Sequence, residues 1–188
     1  MQSAAIVLLS VLAAVVYGVL HDQVTARVCV EYFTVYHPPL FRTESPTLLG
    51  LVWGVVATWW VGLPLGLVLT AAARVGSAPR RTARDLARPV ALLLMGVALA
   101  ALIAGTSGYV AARAGAALPP EWIRARLPEP LHARFVADWW AHRTSYACGA
   151  LGGLGLALVI IWRRVQESTA VRRGERPPRA PRGCGSPR

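Results

Sequence analysis

The chain has 188 residues; 55% are hydrophobic, 15% are charged, and the formal net charge is +11 at pH 7. A soluble domain of this length carries more charge and shorter apolar runs, so composition alone excludes one. A pI near 11.1 invites a nucleic-acid reading, but no nucleic-acid motif accompanies the basic residues, and their placement answers to a membrane instead.

Residues 4–20 form the first apolar block and carry no charge. About 20 apolar residues span a hydrocarbon core of roughly 30 Å, and within lipid every backbone polar group needs an internal partner, so such blocks are expected to be helices. This one reads as a retained helix over about 4–21. Met1-Gln2-Ser3 has no basic side chain and Gly18-Val19-Leu20-His21 offers no small-x-small cleavage site, both of which a cleaved leader needs. His21 and Asp22 follow at headgroup depth. Residues 24–30 are rich in β-branched side chains and fit an extended chain. Residues 31–36 fit a short helix or continued extension equally. Tyr32, Phe33 and Tyr36 suit the interface, where aromatic rings collect, and Pro38-Pro39 turns the chain toward the second block.

The second block, residues 46–73, is again uncharged and predicts a helix over 46–74, kinked at Pro64 with a backbone carbonyl freed there. The third block, residues 89–112, predicts a helix over 88–112. Pro119-Pro120-Glu121-Trp122 reads as a helix start, with proline in the first turn and an acid near the positive end of the helix dipole. Pro128-Glu129-Pro130 ends that helix and begins another. No breaker intervenes before the glycines of the fourth block. The fourth helix is therefore expected to start outside the membrane and run inward as one rod, with its membrane portion at about 138–163. Small residues at Gly50 and Gly54, Gly62 and Gly66, Gly105 and Gly108, and Gly149 and Gly153 permit close helix packing. Residues 164–188, rich in arginine and proline without apolar periodicity, are expected to form a disordered cytoplasmic tail lying on anionic lipid.

Charge orients the spans. All 20 basic residues are arginine, and 13 of them lie in residues 74–88 or after Trp162, with only three of the nine carboxylates. Short arginine-rich connections stay in the cytoplasm. The expected fold is all-α: a four-transmembrane-helix bundle in residues 1–163, placed in the cytoplasmic (inner) membrane with both termini inside. Residues 21–45 and 113–145 are then two structured outward-facing segments.

Those segments hold every histidine, His21, His37, His132 and His142, and six of the nine carboxylates. On the fourth rod Asp138, His142 and Tyr146 are each four apart and share a face, with Ser145 beside them. A first cluster of His21 and Asp22, extended by Glu31 and His37, lies at the same depth. Helices joined in a bundle can bring the two clusters together. Histidine and carboxylate ligands suit a divalent transition metal, and His21, Asp22, Glu31 and His142 are the candidate ligands. No His-Glu-x-x-His or Cys-x-x-Cys spacing is present. The leading reading is an interfacial hydrogen-bond network that locks the bundle of a structural or accessory membrane protein, and the metal or ligand site is the alternative. His132 stands apart and reads as solvated. Cys29 and Cys148 fall on the outward side, where their pairing is open.

Tyr17-Gly18-Val19-Leu20-His21-Asp22-Gln23, then Glu31-Tyr32-Phe33-Thr34, then His142, Ser145, Tyr146 and Gly149 resemble an uncharacterised family of small bacterial four-helix membrane proteins. That family carries Tyr-Gly-x-x-His-Asp-Gln, Glu-Tyr-Phe-Thr and His-x-x-Ser-Tyr-x-x-Gly elements. The resemblance covers the first 40 residues and the fourth helix and implies no activity; His37 and Asp138 lie outside it. Three function classes remain: a structural or accessory membrane protein, an outward-facing metal, ligand or catalytic site, and a transporter component. The third is disfavoured, because no charge sits in the middle of a span and no internal repeat is present. For an enzyme, Ser145 three residues from His142 on one helix is a poor triad.

Overall fold

The computed structural model describes residues 1–173. Among them the chain is all-helical. The elements are α1 (Gln2–Val28), a π-helical turn (Tyr32–Tyr36), α2 (Pro46–Val56), α3 (Trp59–Arg74), α4 (Ala83–Arg113), a single turn α5 (Glu121–Arg124), a 3-10 turn (Glu129–Leu131) and α6 (His132–Arg172). Four segments are long and apolar enough to cross a membrane: Gln2–Val28, Pro46–Arg74, Ala83–Arg113 and Glu129–Arg172. Their outer faces are apolar. On α1, Leu8, Leu12, Val16, Leu20 and Val24 recur every four residues and each stays more than half exposed. In water such a continuous stripe is costly, whereas hydrocarbon gives it a solvent of its own kind.

Local chemistry sets the helix starts. Ser45 accepts from the Leu48 amide ahead of α2, with Pro46 in the first turn. Thr82 and Asp85 form a reciprocal capping box at the start of α4. Both short helix starts expected between the third and fourth blocks are present, at Glu121 and at Glu129.

The structure departs from the sequence reading in three places. Pro64 lies inside α3, and the break in this span comes earlier, at Ala57–Thr58. The cause is Thr58: its hydroxyl donates to the Gly54 carbonyl while its amide turns to Val55. Second, residues 24–28 remain helical, and only Cys29, at φ −148 and ψ 95, is extended. Burial of Thr25 and Ala26 there overrides the weak β-branched preference. Third, α6 runs past residue 163 to Arg172. It is tied down by Arg164, which donates to the carbonyls of Ala72, Val75, Ala78 and Pro79, and by an ion pair between Arg81 and Glu167. The remainder of the expected tail, residues 174–188, lies outside the described residues.

α1 packs along α2 and α3, and α4 packs along α6; the contacts between these two pairs are thinner. Glycine allows the first pairing. A Cβ at Gly54 would lie 2.5 Å from the Val19 backbone, and one at Gly50 would lie 2.9 Å from Asp22 carbonyl oxygen. Gly62 and Gly66 meet α1 at Val11 and Val7 in the same way, Gly105 and Gly108 meet α6, and Gly153 meets Leu65. Gly149 is the exception: a Cβ there would touch nothing within 4 Å. Two apolar cores result. One, around Tyr32, Phe33, Trp53, Ile123 and Phe135, lies at the histidine end. The other, around Ile6, Ala73, Leu86 and Ile160, lies at the arginine end.

Candidate functional site

Close packing of α1 on α2 and α6 on α4 carries His21 and Asp22 from the last turns of α1 to His142 on α6. Suitable ligand atoms of His21, Asp22 and His142 all lie within 4.8 Å of one another. Asp22 and His142 are buried, at 4% and 8% exposure. His142 Nδ1 lies 2.8 Å from the Asp138 carbonyl and Nε2 lies 3.2 Å from Asp22 Oδ1. A carbonyl can only accept, so Nδ1 holds a proton. Nε2 is then the atom free to give Asp22 a second proton or to give a cation its lone pair. A backbone carbonyl that fixes the Nδ1 tautomer is the usual outer support of a histidine ligand bound through Nε2. Ligand atoms about 2.1 Å from a tetrahedral ion stand roughly 3.4 Å apart, near the 3.2 Å between Nε2 and Oδ1 here.

His21 completes the group. Its ring meets that of His142 edge-on at 4.6 Å and stacks on Tyr17 at 5.7 Å. Its Nε2 is buried and has no hydrogen-bond partner, an arrangement that costs free energy unless something else fills the position. Tyr32 stacks on His142 at 4.4 Å, and Phe33 closes the same side. The π-helical turn thus lids the cluster with aromatic rings and lowers its local dielectric.

The other candidates separate. Glu31 is not among the three ligands; its carboxylate accepts the Cys29 thiol at 3.5 Å. His37 binds the Tyr32 carbonyl through Nδ1 at 2.8 Å and packs on Trp53. Burial holds its imidazole below the ordinary value of 6.5; the Tyr32 carbonyl and Asp22 oppose that shift and His142 adds to it. Ser145 bonds the Tyr17 hydroxyl at 2.7 Å rather than His142, and Tyr146 donates to the Ala57 carbonyl at 3.3 Å, the carbonyl left over at the α2–α3 break. His132 is not merely solvated: its Nε2 lies 2.9 Å from the Leu127 carbonyl. Cys29 and Cys148 are both free thiols. Burial pushes the Cys29 thiol up to about 12, and the Asp138 charge adds to this.

Two participants are only partly legible in the sequence. Tyr17 opens the Tyr-Gly-x-x-His-Asp-Gln element, but nothing in the sequence pairs it with Ser145. Asp138 is 1% exposed, with Oδ2 unpartnered; it shares a face with His142 in the sequence, but its isolation shows only in three dimensions.

A cavity of about 100 Å³ opens from the cluster into the seam between the helix pairs, reaching from Asp22, His142 and Tyr146 to Leu69 and Val90. The chain matches no protein-family profile, no curated protein and no solved structure.

Proposed function

We propose that this chain is an integral protein of the cytoplasmic membrane that holds one divalent transition-metal ion through His21, Asp22 and His142, on its outward side. Arginine placement supports the orientation, with both termini inside and the cluster outside. The apolar exterior of the four long helices supports residence in the bilayer. The three-element resemblance supports membership of a small bacterial membrane family, with the cluster drawn from its first and last elements. The basic end of the chain then rests on anionic lipid.

One observation carries the metal reading. His21, whose Nε2 is buried without a partner, offers a ligand atom within 4.8 Å of those of Asp22 and His142, and the His142 ring is already oriented through its Nδ1. Asp138 Oδ2 is unpaired as well, so it is the company of two other ligand-bearing residues, more than the missing partner, that favours an ion at His21. Two histidines and one carboxylate fit zinc or a neighbouring first-row ion, with a fourth position open to water or a ligand. The locking reading keeps one specific support: the bond from His142 to Asp22 and the bond from Tyr17 to Ser145 already tie α1 to α6 without an ion.

Elemental analysis of the purified full-length protein separates the two. Near one equivalent of metal, lost in both His21→Ala and His142→Ala, supports the site. No metal, with both variants melting at lower temperature, supports the lock.

A further inference from the structure

The seam between the two helix pairs holds a cavity of about 100 Å³ that touches His21, Asp22 and His142 at one end. Along α1 it extends from Ser10 to Asp22, which is about 18 Å at 1.5 Å per residue. So small a volume over that length leaves a passage the width of a single small molecule. Beyond the cluster its walls are aliphatic, with Ala14, Val61, Leu65, Leu93 and Val97 among them. The hydroxyls of Ser10 and Thr58 lie along it, and each donates to a carbonyl of its own helix, those of Ile6 and Gly54. A water needs roughly two to four polar partners, and these walls leave no donor free, so the passage beyond the cluster is dry. A dry engineered cavity of roughly 150 Å³ takes up benzene or xenon; this narrower one suits a dissolved gas. The four apolar spans around it favour the same guest, since apolar solutes leave water for hydrocarbon.

Gly149 lines the cavity beside the cluster, and a Cβ there would meet only open space. Glycine in mid-helix is less stable than alanine, and no close helix approach accounts for it here. Its effect is to keep the passage clear where it reaches the polar end. The outward side of the cluster is shut: Tyr32 stacks on the His142 ring and Phe33 meets it edge-on. Two histidines and one carboxylate with positions left open are the donor set of non-haem ferrous sites that take oxygen. No side-chain atom is used twice, because the ion takes the three side chains and the guest takes a position they leave open.

We propose that the ion is ferrous iron and that the seam admits to it a small apolar diatomic gas, dioxygen, which binds at the open position. The proposal rests on the metal-site reading and names the ligand of that site.

The test uses the full chain in discs of diacyl phosphatidylcholine, loaded anaerobically with one equivalent of ferrous iron, with iron content measured on every sample. Nitric oxide is the probe: it is small and diatomic like dioxygen, and it gives a ferrous site a half-integer-spin signal in electron paramagnetic resonance. The expected result is near one nitrosyl per bound iron. Leu94→Trp, on the α4 wall where that side chain packs against the arginine-end core, should slow nitrosyl formation about tenfold by filling the passage while leaving iron content unchanged. Gly149→Leu serves as a second plug should Leu94→Trp melt early. Bound iron that forms no nitrosyl, or forms it at the wild-type rate in both plugs, would overturn the proposal and leave the metal site standing. No bound iron would overturn the metal site and the ferrous ligand with it. Xenon magnetic resonance on the same discs then reads the passage alone, which stands if the plugs abolish a shift shown by the wild type and falls if they do not.

Discussion

His142 is the residue through which the site is organised. Its Nδ1 is committed to the Asp138 carbonyl, its Nε2 points at Asp22, and Tyr32 covers its face. Around it, residues that titrate in water are held in one state. The Cys29 thiol, pushed up to about 12 chiefly by burial, is almost entirely protonated at pH 8, and only the thiolate attacks alkylating reagents. Maleimide at pH 8 should therefore leave Cys29 unmodified in the folded protein and modify it after denaturation, as read by peptide mass mapping. His37 gives a pH prediction. Its folded value lies below the ordinary 6.5, so the unfolded chain binds its proton first as pH drops. The stability it contributes is present above about pH 6.5 and is lost as pH falls below that point. Melting temperature should decline from pH 7 to pH 5 more steeply in the wild type than in His37→Gln; equal slopes would contradict this.

Helix contacts turn on backbone proximity. At Gly54 an added methyl would run into the Val19 backbone, which cannot swing aside as a side chain can. Gly54→Ala should cost about 1–3 kcal/mol by overpacking, seen as a lower melting temperature. At Gly149 the same change meets open space and should raise stability by about 0.5–1 kcal/mol through helix propensity and a less flexible unfolded chain. Glycine spacing alone predicts the same packing role for both positions, because the sequence does not say which face of α6 borders a void. Helix starts are easier to read: Ser45-Pro46, Pro120-Glu121 and Pro128-Glu129-Pro130 each combine a backbone preference with a nearby acceptor. The break at Thr58 is not legible, since it depends on a hydroxyl choosing Gly54 over solvent. Nor is the role of Arg164, which reads as one more basic residue near a tail until its four carbonyl partners at the end of α3 and in the following connection are seen. Arg164→Met should destabilise the fold by about 3 kcal/mol, since four carbonyls, that of the buried Ala72 among them, lose a charged donor at once.

At the level of the whole molecule, four apolar runs of this length have few solutions other than spanning helices, and the all-helical bundle is legible for that reason. The convergence of His21, Asp22 and His142 is legible in part: shared depth follows from the spans, and a shared face follows from helical spacing. Exclusion of Glu31 is not, because it depends on the extended backbone at Cys29 and on the π-helical turn that Glu31 precedes. The orientation we propose from arginine placement makes its own prediction. A cysteine introduced at Arg126 should react with an impermeant thiol reagent in intact cells, and one introduced at Arg81 should react only after lysis.

The central claim is that an ion occupies the space between His21, Asp22 and His142. X-ray absorption at the metal edge, on protein loaded with one equivalent of zinc, reads that directly. The account predicts imidazole scattering from two nitrogen ligands at about 2.0–2.1 Å, reduced to one in His21→Ala. A first shell of oxygen alone, or a spectrum unchanged by that substitution, would contradict it.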